Sequence, residues 1–152
     1  MKPAVEFEPL KDQARNMLDE ARMVLPGVQA LLGFQLIAVF NQRFESLDFE
    51  LQAIHLTALL LVTLSVVLIM APAAYHRIVE RDRISDYFVR LASLLIAGAM
   101  IPLAAGISLD IYVIARMVLA STALSAVVAA ATVLVFCSLW FVFPLLRRSR
   151  QL

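Results

Sequence analysis

Four long apolar runs, at residues 23–40, 53–75, 88–109 and 112–146, constrain this chain more than any other feature in it. Each reaches roughly the 20 residues that an α-helix needs to cross a hydrocarbon layer. The runs are continuous rather than alternating, so they are not the strands of about 10 residues that build a membrane barrel. Lipid offers the backbone nothing to hydrogen-bond, which leaves the helix. Composition agrees: 62% of the residues are hydrophobic and 16% charged, against about 45 to 50% and 25% in soluble domains. The predicted fold class is all-α, an integral membrane four-helix bundle. The last run is longer than one perpendicular span requires, so it has to tilt, project beyond the bilayer or begin late.

Ahead of the first run, Leu10, Ala14, Met17, Leu18, Ala21 and Leu25 recur at helical spacing, with Lys11, Asp12, Arg15, Asp19, Glu20 and Arg22 around the rest of the wheel. That pattern predicts an N-terminal amphipathic interfacial helix. The expected division is an amphipathic segment at 1–22, a four-span domain at 23–146 and a basic tail at 147–152. Charged connections follow at 41–52 and 76–87, and a tight turn is expected around Ser108, Leu109 and Asp110 between spans three and four. Pro26-Gly27 reads as the start of span one, and Pro72 as a kink or end of span two.

Eleven of the 13 Lys and Arg residues fall on one side of this topology: Lys2, Lys11, Arg15, Arg22, Arg77, Arg81, Arg83, Arg90, Arg147, Arg148 and Arg150. Arg43 and Arg116 fall on the other, so the positive-inside rule predicts a multi-pass protein with both termini cytoplasmic. Residues 1–20 are charged throughout, and no signal peptide is expected there. A net charge of +1 gives no ground for nucleic-acid binding. The lipid bilayer is the expected partner.

Polar and small residues inside the runs are the candidate pore or packing positions. Gln29 and Gln35 must face protein or water because an unpaired amide in lipid is costly, yet six residues apart they point about 120° from one another. Hydroxyls at Thr57, Thr63, Ser65, Ser93, Ser121, Thr122, Ser125, Thr132 and Ser138 suit interhelical hydrogen bonds or a wet path. Gly98, Pro102 and Gly106, spaced by four, form a stripe that can pack closely and bend, with the carbonyl near Gly98 freed by the proline. Ser121, Ser125 and Ala129 form a small-xxx-small contact face. Arg116, near the outer interface, is expected to pair with Asp110 or another outer carboxylate, since an unpaired guanidinium in hydrocarbon costs about 2.5 kcal/mol or more.

Two histidines invite a metal or haem reading, but about 30 Å of helix, at about 1.5 Å per residue, separates His55 from His76. The single Cys137 allows neither an internal disulfide nor a Cys-x-x-Cys pair. No metal site, cofactor or catalytic residue is expected. With no phosphate loop, dinucleotide fingerprint or nucleophile elbow, the chain is not expected to be an enzyme.

The run R-M-V-L-P-G-V-Q-A-L-L-G-F-Q at 22–35, A-P-A-A-Y-H-R-I-V-E at 71–80 and I-P-L-A-A-G-I-S-L-D-I-Y-V at 101–113 resemble a family of small bacterial membrane proteins of unknown function. The resemblance covers about Arg22 to Arg148. It implies a four-span protein of the bacterial inner membrane, and it carries no reaction or site residues. Members are sometimes labelled sodium:proton antiporter-like. Such exchange ordinarily uses a carboxylate within the membrane, and in this topology the carboxylates sit at span ends or in the cytoplasm, Asp110 being the least unsuitable. The favoured expectation is a homo-oligomeric channel or carrier for a small ion or solute. The alternative is a non-transporting scaffold, regulatory or assembly subunit, with the antiporter third.

Overall fold

A computed structural model of the chain describes residues 9–80 and 84–149; Lys2, Arg81, Arg83 and Arg150 of the charge count lie outside them. Among the described residues every regular element is helical: α1 Leu10–Ala38, α2 Gln42–Glu45, α3 Phe49–Val79, α4 Asp86–Leu119, α5 Thr122–Phe136, a π-helical turn Cys137–Val142, and α6 Phe143–Ser149. Four helices are long and apolar enough to cross a membrane: α1, α3, α4 and the continuous rod from Thr122 to Ser149.

Serine or asparagine caps α2, α4 and α5, whereas α1 and α3 follow Pro9 and Asp48 with no side-chain cap. Asn41 accepts a hydrogen bond from the Arg43 amide at the head of α2, Ser85 from Phe88 at the head of α4, and Ser121 from Leu124 at the head of α5. Each supplies an acceptor to one of the amides a helix start leaves open. Glu80 accepts from the amide and the hydroxyl of Ser85, tying the end of α3 to the start of α4.

Antiparallel α3 and α4 form the central pair, α1 packs over both, and α5 packs on α4. Val28 of α1, Val62 and Ile69 of α3, and Ala99 and Leu103 of α4 make the main core, with Trp140 against it. A second cluster joins Ala14 to Phe88 and Ala92, with Tyr75 stacked on Phe88 at 6.0 Å. The amphipathic stretch is therefore the first part of α1, and its apolar face rests on the chain's own helices. No break separates it from span one, because Pro26 is tolerated inside α1. Pro72 likewise lies buried within α3, which continues to Val79.

The expected turn at Ser108, Leu109 and Asp110 is not there. Helix α4 runs on to Leu119, giving 34 residues, a rise of about 51 Å. Ser108 donates to the carbonyl of Ala104 within the helix, and no glycine or proline interrupts the segment. The break comes at Ala120, whose φ of 49° is left-handed, and whose amide closes the helix on the Arg116 carbonyl. The fourth span accordingly begins late, at Thr122. A non-glycine residue in this conformation costs roughly 1 to 2 kcal/mol. Ala120→Gly is therefore expected to stabilise the fold by up to about 1 kcal/mol after the entropy glycine gains when unfolded, and so to raise the midpoint of thermal unfolding in detergent. A lowered midpoint would contradict this account of the break.

Farther along, the Phe143 amide bonds five residues back to Ser138. Pro144 explains the widening: it has no amide for the Trp140 carbonyl and its ring crowds that group, so the preceding turn opens to π geometry.

Candidate functional site

At the α2 end of the bundle, three helices each contribute a polar side chain to one point. Gln35 comes from the last turn of α1, His55 from the second turn of α3, and Asp110 from α4, nine residues before its end. Gln35 Nε2 donates to Asp110 Oδ2. His55 Nδ1 lies 3.0 Å from Asp110 Oδ1, and His55 Nε2 lies 3.1 Å from the backbone carbonyl of Gln35. The side chains of His55 and Asp110 are only 9% and 13% exposed, and Gln35 is 4% exposed.

A carbonyl only accepts, so Nε2 of His55 carries a hydrogen. Between Nδ1 and Oδ1 there is then a single proton. The pair is either imidazolium and carboxylate or imidazole and carboxylic acid, and it is neutral overall in both forms. Neutrality is what a low-dielectric surrounding demands of two buried ionisable groups. One acceptor in the cluster is not used: Gln35 Oε1 is buried without a hydrogen-bond partner.

The cluster borders a cavity of about 360 Å³. Its other walls are mostly apolar: Leu31, Phe34 and Ala38 of α1, Phe44 and Leu47 around α2, and Ile107, Ile111, Val113, Ile114 and Met117 of α4. Asn41 and Arg43 add the remaining polar groups. The α2 segment is fastened over this space. Gln52 donates to the carbonyls of Phe44 and Leu47, and the Phe44 ring meets His55 edge-on at 5.2 Å.

Asp110 does not pair with Arg116. Both lie on α4, and the carboxylate is taken up by His55 and Gln35. Arg116 instead donates to the hydroxyl of Thr122 across the helix break, leaving its Nε buried without a partner. Gln29 lies exposed on α1, turned away from buried Gln35. The glycine–proline stripe divides as well. Gly106 and Pro102 are buried, and a Cβ at Gly106 would strike α3, whereas Gly98 has open space around it. Ser121 caps α5, and Ser125, facing α4, donates to the Ser121 carbonyl of its own helix.

Most of the hydroxyls do not bridge helices as expected. Thr57, Thr63 and Thr132 bond carbonyls four residues back, a local solution always open to a helical threonine. Ser65 does cross, donating at 2.9 Å to the Ala99 carbonyl, one residue from the carbonyl that Pro102 frees. His76 sits at the opposite end of α3, with its ring 5.3 Å from Phe88. Among the described residues no three His, Cys, Asp or Glu side chains gather as a metal site.

Sequence reasoning placed Gln35 and Asp110 among the candidates but missed His55 as their partner. The signal was available: Gln35 and His55 flank the same connection. Asp110 was read as part of the turn between spans three and four and assigned to Arg116 instead.

The model of a family of unknown function, DUF6328, matches residues 7–144. No curated protein and no solved structure was found to match the chain.

Proposed function

Since the chain belongs to the DUF6328 family, whose function is unknown, we propose from its own residues that it is a small membrane carrier with its binding chamber between α1, α2, α3 and α4. The observation that carries this reading is the buried Gln35–His55–Asp110 cluster bordering an otherwise apolar cavity. Ionisable groups placed among membrane helices are costly, and function is the usual reason for them. A pocket of a few hundred Å³ with a few converging polar groups is the ordinary form of a small-ligand site.

A carrier is favoured over a channel because the cavity is blind within one chain. Leu31 and Ile107 line it and also pack against the core of Val28, Val62 and Leu103, so passage requires the helices to rearrange. Asp110, nine residues before the end of α4 and held between helices by Gln35 and His55, is the carboxylate that a proton-coupled exchange would use. By the positive-inside argument both termini are cytoplasmic in a bacterial inner membrane, and the cavity then opens toward the outer side.

Proteoliposomes enclosing a pH-reporting dye test the reading. Sodium, potassium or ammonium is added outside in turn. The expected result is that at least one of the three gives a lumenal pH change, beyond that of protein-free liposomes, that saturates with the added ion and is lost in Asp110→Asn. A non-saturating flux would favour a channel. The absence of any flux would favour the second reading, a scaffold or assembly subunit in a homo-oligomer. What speaks for that second reading is the fourth helix, where Ser125 is the buried residue of α5 and the π turn and α6 bury none.

A further inference from the structure

We propose that the cavity binds a protonated organic amine, an ammonium group on an apolar body, in exchange for the proton held between His55 and Asp110. The inference deepens the carrier reading and rests on it. Three features select the ligand. The first is the kind of hydrogen bond left open: Gln35 Oε1 is a buried acceptor without a partner, and Asp110, beside it, is also an acceptor when ionised. A ligand that satisfies both must donate, which fits an ammonium and excludes a carboxylate or phosphate.

The second feature is the wall. Phe34, Phe44, Ile111 and Met117 offer apolar and aromatic surface and no oxygen. A bare alkali cation, which needs several oxygen ligands to replace its water, finds too few here, whereas a hydrocarbon body loses water on entering.

Charge is the third. Asp110, His55 and Arg43 are the titratable or charged groups lining the cavity; Gln35 is what α1 supplies, and Arg43, from α2, is exposed. The resting pair is neutral as a whole. Adding a cation to it would bury a net positive charge, but adding a cation while His55 Nδ1 loses its proton would not. The step starts from R-NH3+ and the pair in its imidazolium–carboxylate form. It ends with R-NH3+ held on the Asp110 carboxylate, His55 as neutral imidazole, and one proton released to solvent through the cavity. Charge and atoms balance, and the site is neutral before and after, which is the arrangement least penalised in a low dielectric. His55 keeps its Nε2 hydrogen on the Gln35 carbonyl throughout, so the ring stays in place while Nδ1 changes state.

The test is titration calorimetry on the purified full chain in detergent at pH 7, in two buffers of different ionisation enthalpy, with 2-phenylethylammonium as probe. Matched controls are 2-phenylethanol, which donates but carries no charge; 2-phenylethyl-trimethylammonium, which is charged but cannot donate; and sodium chloride. Expected are saturable binding of the amine with release of close to a single proton, and binding about tenfold or more weaker for the alcohol, for the trimethylated cation and for Asp110→Asn. Equal affinity for the alcohol, sodium binding that itself releases the proton, or unchanged amine affinity in Asp110→Asn would each overturn the assignment. The ligand series is run on the unaltered chain, so it decides even if the variant does not fold. No amine binding together with a saturable, Asp110-dependent pH change driven by sodium or potassium overturns the amine alone. No binding and no flux overturns the carrier reading as well.

Discussion

Replacing Asp110 by alanine is expected to cost about 3 kcal/mol of folding stability, the low end of what removing one partner from a buried ion pair costs. The carboxylate serves two donors from two other helices, Gln35 Nε2 of α1 and His55 Nδ1 of α3. Alanine strands both, and the imidazole must then give up its second proton or remain charged with no counter-ion. The low end applies because in lipid or detergent the unfolded reference also finds partners for its polar groups. His55→Leu should cost less, since the carboxylate it leaves keeps Gln35 and can be neutralised by a proton. The decisive variant is the double one. With both groups replaced by leucine only the Gln35 side-chain amide and the Gln35 carbonyl that His55 Nε2 served lose a partner, and buried pairs exchanged for apolar residues of similar size are often neutral. His55→Leu/Asp110→Leu should thus unfold closer to wild type than Asp110→Ala does, while losing ligand binding. Denaturation followed by circular dichroism in one detergent compares the variants. If the losses of His55→Leu and Asp110→Leu, each measured alone, simply add to that of the double variant, the pair is not coupled and the cluster is not the unit described above.

The four helices were legible in the sequence because hydrocarbon leaves a chain of this composition few choices. Where one helix ended and the next began was less legible. Ser108-Leu109-Asp110 looks like a turn because serine and aspartate compete with helical hydrogen bonds. That competition is lost when the hydroxyl bonds the carbonyl four residues back and the carboxylate is claimed by other helices. Neither partner is visible in a local window. The true break, at Ala120, uses an alanine in a conformation usually left to glycine, inside a run that reads as apolar from 112 to 146. With the turn ten residues early, Asp110 fell at a span end and Arg116 in the next span, and an ion pair between them looked natural. The cluster's chemistry was therefore half visible: the residues stood out as polar, but their register against one another depends on helix lengths that composition does not set.

Gly106 decides how closely α4 approaches α3, and the largest packing effect is expected there. A Cβ on this residue would lie 2.9 Å from Val62 Cγ2, 3.0 Å from the Ala58 carbonyl oxygen and 3.4 Å from Leu61 Cβ. Val62 is fully buried and, being β-branched, has one strongly preferred rotamer in a helix; the Ala58 carbonyl belongs to the backbone. Neither can swing aside, so the helices must part. Gly106→Ala gains roughly 1 kcal/mol of helix propensity against an overpacking cost of about 1 to 3 kcal/mol. A net loss of about 1 kcal/mol is expected, rising steeply for Gly106→Leu. At Gly98 nothing lies within 4 Å of the same added atom, so Gly98→Ala keeps the propensity gain and should be neutral or stabilising by up to about 1 kcal/mol. The two glycines, alike in the sequence, are thus expected to respond with opposite sign. The consequence reaches the site because Asp110 stands one turn beyond Gly106 on the same helix. Moving α4 away by a few tenths of an ångström lengthens the contact between Asp110 and His55, now 3.0 Å. Gly106→Ala should therefore weaken amine binding in the calorimetric assay as well as lower the unfolding midpoint, whereas Gly98→Ala should leave binding unchanged. Equal responses at the two positions would mean that close approach of α3 and α4 at Gly106 is not what sets the cluster's geometry.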